Sequence, residues 1–221
     1  MCGRYSQTRI EERELKERFK LKKIPQGLQK RFNIAPQQNV PVILNATPEE
    51  ISLVRWGLVP GWAEGPNMKY TMINARAESL REKPMYRGLV RRKRCLIIAD
   101  SFYEWKKEGK TKQPFRIMLE NEGLFCFAGL WDHWERDGNE ITSCTIITTD
   151  ANRLVRPIHD RMPVILPRER EGDWLAEIRD QDLDELLKPY DPQALKAYPV
   201  SPAVNNPKND QSDIILPLSP H

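Results

Sequence analysis

Short apolar runs of strand length recur along this chain, and few helical segments separate them. Residues 40–44 and 51–56 read as two strands joined by a turn. Four more runs of this kind lie at 95–100, 114–119, 124–130 and 144–149. Strands that follow one another without a helix between them tend to pair antiparallel. The pattern therefore predicts an α+β fold with a mainly antiparallel β core.

Helical patterns predict a small number of helices around this core. Residues Thr8 to Glu11 fit a capping box, and the apolar positions that follow predict a helix over 8–20. Residues 79–90 predict a helix that is broken at Pro84. Two further helices are predicted over 168–178 and near 182–188.

Three other segments favour non-helical backbone because of their glycine, proline and asparagine content. They are an extended segment over 31–36, an ordered loop over 56–62 and an irregular tail over 198–210.

The composition is typical of a globular protein, with 39% hydrophobic and 30% charged residues among 221. No Gly/Ser-rich linker or low-complexity tract divides the chain, so we predict one domain over residues 1–221. The N-terminus lacks the basic-then-apolar pattern of a signal peptide, and no apolar run is long enough to span a bilayer. These features predict a cytoplasmic protein, nucleoid-associated in a bacterium, with no membrane partner.

Charge is divided unevenly along the chain, although the net charge is only +4. Residues 1–116 contain 25 Lys and Arg against 12 Asp and Glu, whereas residues 117–221 contain 10 against 19. A basic half of this kind is typical of a protein with an anionic partner, such as nucleic acid. Ion pairs scattered over a solvated surface would give the same composition.

Cys2 differs from the other three cysteines of the chain. Cys95, Cys126 and Cys144 lie in apolar runs, where a reduced cysteine acts as a small buried hydrophobic residue. Cys2 lies instead in the sequence MCGRY, and its small size favours removal of Met1, which would give it a free α-amine beside its thiol. No cysteines are spaced as CxxC, so we predict no metal site and no cofactor.

Two stretches carry side chains suited to binding or acid–base chemistry. Asn74 and Arg76 would share one face of an extended segment, where they suit a phosphate, a carboxylate or a sugar oxygen. Glu104 lies between Tyr103 and Trp105, and a carboxylate walled by rings can have a raised pKa and act as an acid or base. Structural roles fit both stretches too: an Asx turn with an ion pair, and a core tryptophan.

His159 lies in a polar His-Asp-Arg sequence ahead of an apolar strand, and the chain has only three histidines. A histidine can donate and accept protons near neutral pH, and Asp160 or Arg161 are candidates to fix its geometry. A purely structural histidine fits the same residues.

Seven motifs occur in order along nearly the whole chain: MCGRY, RFNIAP, WGLVPGW, INARAES, ADSFYEWKK, PIHDRMPVIL and VSPAVNNPKN. Together they resemble the SRAP family, the abasic-site processing proteins once named SOS-response-associated peptidases. The resemblance covers residues 2–209, with one departure at Ser101, where glycine is frequent in the family. It implies a single α+β domain built on a curved, barrel-like β core.

The resemblance also implies a function. A monomer would bind single-stranded DNA, or a strand junction, that contains an abasic site and would bond covalently to that site through Cys2. Strand cleavage of the AP-lyase kind and peptidase-like self-removal of Met1 are expected as accompanying activities. The implied catalytic residues are Cys2, Asn74, Glu104 and His159. The implied DNA contacts are Arg4, Trp62, Arg76, Trp105 and Lys208.

The chemistry of Cys2 agrees with this resemblance because an abasic deoxyribose is a masked aldehyde. The α-amine, with a reference pKa of about 7.7–8.0, can form an imine, and the thiol of the same residue can then close on the imine carbon. Well-oriented intramolecular closures reach effective molarities of about 10⁵ M or more, so a five-membered thiazolidine is favoured. An amine alone would stop at an imine, which hydrolyses or undergoes β-elimination.

Two other functions fit part of the sequence. Glutamine amidotransferases of the N-terminal-nucleophile type also begin Met-Cys-Gly, and in such an enzyme Cys2 would attack an amide. Those chains usually alternate strands and helices into a four-layer sandwich. A DNA-binding module without chemistry is the other alternative, but it would leave Cys2, Glu104 and His159 without a role.

Overall fold

The computed structural model of the protein describes residues 2–66 and 71–218. Met1, whose removal the first motif predicts, lies outside the described residues. In chain order the strands are β1 (Tyr5–Gln7), β2 (Arg31–Ile34), β3 (Asn39–Leu44), β4 (Ile51–Trp56), β5 (Asn74–Arg76), β6 (Arg94–Ala99), β7 (Ser101–Glu108), β8 (Thr111–Leu119), β9 (Phe125–Arg136), β10 (Asn139–Asp150), β11 (Arg161–Pro163), β12 (Ile165–Leu166) and β13 (Leu195–Pro199).

Four short α-helices surround these strands: α1 (Glu12–Phe19), α2 (Pro84–Arg92), α3 (Glu171–Leu175) and α4 (Asp180–Leu186). Single 3₁₀ turns cover Ala77–Ser79, Arg168–Arg170, Pro192–Ala194, Pro202–Asn205 and Ser212–Ile215. None of the described helices has the length and apolarity that crossing a membrane requires.

Five strands close into a barrel in the order β10-β4-β3-β6-β9, and β9 pairs back onto β10. Every pair in this ring is antiparallel except β4 with β10. The short strand β5 adds to β10 in parallel, and β11 and β12 extend the sheet at β10 and β9. The predicted fold class, α+β with a curved, barrel-like, mainly antiparallel β core and peripheral helices, is therefore confirmed.

Gly129 lies where the barrel closes, because it pairs with Cys95 on β6 and with Ile146 on β10. A Cβ atom built on Gly129 would lie 2.8 Å from both the Sγ of Cys95 and the Cδ1 of Ile97. Two strands can approach β9 this closely only because position 129 has no side chain.

A second sheet, with the strand order β13-β8-β7-β1-β2, carries the N-terminal strand β1 at its interior. The ring of Tyr5 on β1 packs edge-on against the rings of Trp56 and Phe127 of the barrel, with centroids 5.3 and 5.6 Å apart. These fully buried contacts fix the start of the chain against the barrel.

The capping box predicted at Thr8 is wrong. Helix α1 begins only at Glu12, and Glu11 before it makes no side-chain cap. The Thr8 hydroxyl instead donates to the Asp100 carboxylate at 2.7 Å. Asp100 is almost fully buried, so its need for hydrogen-bond donors outweighs a local cap of the helix.

The helix break predicted at Pro84 is also wrong. Pro84 is the first residue of α2, a position where the missing N–H of proline costs no hydrogen bond. The residues before it form the separate 3₁₀ turn Ala77–Ser79.

The helix predicted over 168–178 is shorter than expected, because α3 ends at Leu175. The buried guanidinium of Arg94 donates to the carbonyl oxygens of Trp174 and Ala176. These carbonyl groups are therefore bonded to a side chain instead of to backbone N–H groups of a further helical turn. The short helix predicted near 182–188 is α4, and the irregular tail begins only after Pro199, where β13 ends.

Candidate active site

Cys2 lies shortly before β1 and is fully buried in an apolar cluster to which both the barrel and the second sheet contribute. The pairing of β1 with β7 fixes its neighbourhood, since the backbone N–H of Tyr103 donates to the carbonyl oxygen of Arg4 at 3.0 Å. Beyond Arg4, the Cys2 thiol and the Glu104 carboxyl are near enough to interact electrostatically. The N-terminal segment therefore runs beside the strand that carries Glu104.

Burial sets the protonation of Cys2 and Glu104. Burial raises the pKa of the Cys2 thiol, and the nearby Glu104 carboxylate raises it further, so the thiol stays neutral in the free protein. Burial likewise raises the pKa of the Glu104 carboxyl. A carboxyl shifted upward in this way is suited to take up and release protons.

A cleft of about 400 Å³ opens over Glu104, and among the described residues five line it: Glu104, Trp105, Lys112, His159 and Asn205. Three of them, Glu104, Trp105 and His159, are residues that the sequence predicts for the site. The indole N–H of Trp105 donates to the Oδ1 of Asn205 at 2.7 Å, which holds the ring in place as one wall of the cleft.

The hydrogen bonds of His159 define which ring nitrogen carries its proton. The backbone N–H of Arg161 lies 3.0 Å from Nδ1, so the neutral ring accepts there and carries its proton on Nε2. The Asp160 carboxylate also lies 2.9 Å from Nδ1 and is placed to accept from that nitrogen when the ring is doubly protonated. These two contacts fix the Nδ1 side of the ring and leave Nε2 as the nitrogen that carries the proton in the neutral form.

Arg161 joins the segment of His159 to the segment of Asn74. Its guanidinium donates to both carboxylate oxygens of Glu78, at 2.7 and 3.0 Å, and to Asp150 at 2.7 Å. The hydrogen bond from Arg161 lowers the pKa of the Glu78 carboxyl, which keeps the pair charged. Two segments that are distant in sequence are thus held together.

Asn74 and Arg76 lie on β5, on either side of the buried Ala75, as the predicted extended segment requires. The Nδ2 of Asn74 donates to the carbonyl oxygen of Ile73 at 2.9 Å. Its Oδ1 is buried and accepts no hydrogen bond from the residues that the structure describes. This oxygen therefore has an unused acceptor position that is shielded from solvent, whereas Arg76 beside it is exposed.

Arg4 makes contacts within the protein. Its Nη1 donates to the Oδ1 of Asn33 and to the carbonyl oxygen of Val204, both at 2.8 Å. The buried Asn33 in turn donates to three carbonyl oxygens, those of Val204, Asn206 and Asn209. Arg4 and Asn33 together fasten the 202–209 segment to the N-terminal strands.

Trp62 and Lys208 lie outside the lining of the cleft, as do Asn74 and Arg76. The Trp62 side chain is 69% exposed on a loop that the Asp132 carboxylate anchors through the N–H of Gly61, at 2.8 Å. Lys208 is exposed near the end of the 202–209 segment.

Sequence analysis did not single out Lys112 or Asn33. Lys112 is one of four lysines in the stretch KKEGKTK, and only the hairpin register separates it from the others. Asn33 belongs to the motif RFNIAP, but nothing local marks it as a bridge to residues 204–209. Across residues 2–66 and 71–218, no three metal-ligating side chains come together.

The chain is similar to known proteins over almost its whole length. The profile of the SRAP family, described as SOS response associated peptidase, matches residues 1–207. The chain is 46% identical over 222 residues to the abasic site processing protein YoqW of Bacillus subtilis strain 168, covering 97% of this chain and 99% of that protein. It is 33% identical to the abasic site processing protein HMCES of Xenopus tropicalis, covering 85% and 66%.

Solved structures show the same architecture. A crystal structure of a protein from Bacteroides thetaiotaomicron superimposes with a TM-score of 0.81 at 30% identity, covering 87% of this chain and 88% of that one. A protein from Bordetella bronchiseptica superimposes with a TM-score of 0.79 at 27% identity, covering 90% and 100%. The closed barrel differs from the four-layer sandwich that the amidotransferase alternative requires.

Proposed function

The chain belongs to the SOS response associated peptidase family, and we propose that it processes abasic sites in single-stranded DNA by bonding to them through Cys2. One observation carries this proposal: the buried Cys2 adjoins Glu104, which lines one cleft with His159. The relatives named abasic site processing proteins support the choice of substrate. Single-stranded DNA and strand junctions would both present the sugar without the cost of flipping it from a duplex.

The reaction needs a free amine on Cys2. While Met1 is attached, the backbone nitrogen of Cys2 is an amide and cannot attack a carbonyl carbon. After Met1 is removed, the amine adds to the C1′ aldehyde of the opened sugar and water leaves, which gives an imine. The thiol then adds to the imine carbon, its proton passes to the nitrogen, and a thiazolidine forms without any oxidant or cofactor.

Glu104 would serve as the base of the first step. A carboxylate with a raised pKa, adjoining the N-terminal segment, is suited to accept a proton from the attacking amine. Burial, reinforced by the charge of Glu104, raises the pKa of the Cys2 thiol and so keeps it protonated until the imine exists. This order favours attack by nitrogen first and ring closure by sulfur second.

His159 and Asn74 would handle the sugar. The Nε2–H of His159 would hydrogen-bond to the ring oxygen of the sugar, and a proton transferred to that oxygen as the sugar opens would come from the imidazolium form of the ring. The unsatisfied Oδ1 of Asn74 would accept from a hydroxyl of the opened sugar once its side chain turns toward the ligand.

Arg76, Trp62 and Lys208 are exposed, which suits contacts to phosphates and bases. Trp105 would offer a stacking face at the cleft. Arg4 would act mainly by holding the 202–209 segment, and a phosphate contact would come from the rest of its guanidinium. We propose that the protein acts as a monomer.

Denaturing gel electrophoresis after mixing with an oligonucleotide that carries one abasic site tests the proposal. The wild type should give a band that resists denaturant, and Cys2→Ala should give none. Cys144→Ala is the matched control, because it removes another fully buried thiol and leaves Cys2 intact. No resistant band with the wild type, or Met1 still present in the purified active protein by mass spectrometry, would overturn the proposal.

A further inference from the structure

Of the five described residues that line the cleft, only Lys112 carries a permanent positive charge. It lies on β8, directly opposite Lys107 in the β7–β8 hairpin. Among the described residues it forms no ion pair and no hydrogen bond through its ammonium group, whereas Lys106 on the same hairpin pairs with Glu108 at 3.1 Å. The charge of Lys112 is thus available to a ligand in the cleft.

Among the described residues that line the cleft, only Lys112 and, when protonated, His159 offer a positive charge to an anion. Glu104 is acidic, and Trp105 and Asn205 carry no charge. An abasic sugar within a strand always brings a phosphodiester on each side, so a cleft that admits the sugar must also hold at least one phosphate close to Glu104. A cation on the opposite strand would offset the repulsion between that phosphate and the carboxylate.

We propose that Lys112 binds a phosphodiester directly adjacent to the abasic sugar. This inference rests on the proposed function and adds a binding residue for the substrate. Lys112 holds the strand in position and takes no part in bond formation. Its loss weakens capture of DNA and leaves the chemical step at saturating DNA unchanged.

The first test compares Lys112→Ala with Lys107→Ala, a matched loss of charge at the cross-strand position that does not line the cleft. Crosslinking rates are measured against DNA concentration at several salt concentrations. Lys112→Ala should raise the half-saturating DNA concentration about three- to tenfold and reduce the slope of log affinity against log salt by about 0.7, the value for one phosphate of a single strand. Lys107→Ala should change both by much less.

The second test locates the phosphate. Oligonucleotides carry one neutral methylphosphonate, either on the 5′ side or on the 3′ side of the abasic sugar. At one of these positions the neutral linkage should weaken capture by the wild type and leave capture by Lys112→Ala unchanged, since the partner charge is already absent.

Each failure has its own signature. If the wild type crosslinks but Lys112→Ala and Lys107→Ala behave alike, or if both neutral linkages add to the effect of Lys112→Ala, the inference about Lys112 is wrong and the proposed function stands. If the wild type forms no crosslink, the proposed function itself fails. A lower maximal rate with an unchanged half-saturating concentration would also overturn the inference, because it would place Lys112 in the chemical step.

Discussion

Glu104 and His159 line the same cleft, although Glu104 lies on β7 of the second sheet and His159 lies in the loop between β10 and β11. Neither sheet alone contains both residues. The cleft exists because β1 and β7 run alongside the barrel and bring the N-terminal segment with them. A change that shifts the second sheet relative to the barrel should therefore disturb the proposed chemistry even when the packing of the core is kept.

Glu104→Gln should raise stability at neutral pH. Because burial raises the pKa of Glu104, wild-type stability is full below the ordinary glutamate pKa of about 4.5 and falls as pH rises through the higher folded-state value. The melting temperature of Glu104→Gln should exceed that of the wild type at pH 7, and the difference should vanish below pH 4.5. Glu108→Gln, on the exposed end of the same strand, is the control. Its melting temperature should show no such pH-dependent difference from the wild type.

The same Glu104→Gln variant should crosslink about 10²-fold or more slowly at neutral pH, because it cannot accept a proton from the amine. Rates of adduct formation at saturating abasic DNA measure this. A variant that is more stable and equally fast would show that Glu104 is not the base.

Cys2→Ser should change the product. The serine keeps the α-amine but lacks the thiol, so the reaction stops at an imine that borohydride can trap. Without reductant, β-elimination should cut more strand than with the wild type, because ring closure no longer competes. Gels of labelled DNA with and without borohydride show both effects. Equal amounts of durable adduct from wild type and Cys2→Ser would contradict ring closure by sulfur.

Asn33→Ala should lower the free energy of unfolding by about 1–3 kcal/mol, because it removes the donor to the backbone carbonyl groups of the 202–209 segment and the acceptor for Arg4. Chemical denaturation measures the loss. Asn139→Ala removes an exposed amide that makes only one local hydrogen bond, and its effect should stay within about 0.5 kcal/mol. Equal effects from the two variants would rule out a bridging role for Asn33.

Gly129→Ala should destabilise the protein by about 1–3 kcal/mol, because the new methyl group would overlap Cys95 and Ile97. Gly172→Ala is the control: its Cβ would meet no atom within 4 Å, and alanine favours the helix α3 over glycine. In thermal melts, the melting temperature should fall for Gly129→Ala and rise for Gly172→Ala. If Gly129→Ala left the melting temperature unchanged, the strands around position 129 would be able to move apart without loss of stability.

Local sequence patterns correctly predicted much of the strand content and the burial of Cys95, Cys126 and Cys144. The paired strands predicted over 40–44 and 51–56 are β3 and β4, and their register brings Val40 opposite Val54. These predictions succeeded because apolar runs of strand length report directly on backbone preference and burial. They failed at Thr8 and Pro84, where a distant partner or the position within the helix decided the outcome.

By itself, the sequence determined which chemical groups the protein carries and which segments are extended, since both depend on side-chain type and local backbone preference. A cysteine placed second, and a carboxylate between two aromatic residues, are visible without any structure. Only the tertiary structure decided that Lys112 and Asn205 share a cleft with Glu104 and His159, and that Asn33 ties down the 202–209 segment. Such contacts follow from strand order and register between residues far apart in the chain, which no local pattern encodes.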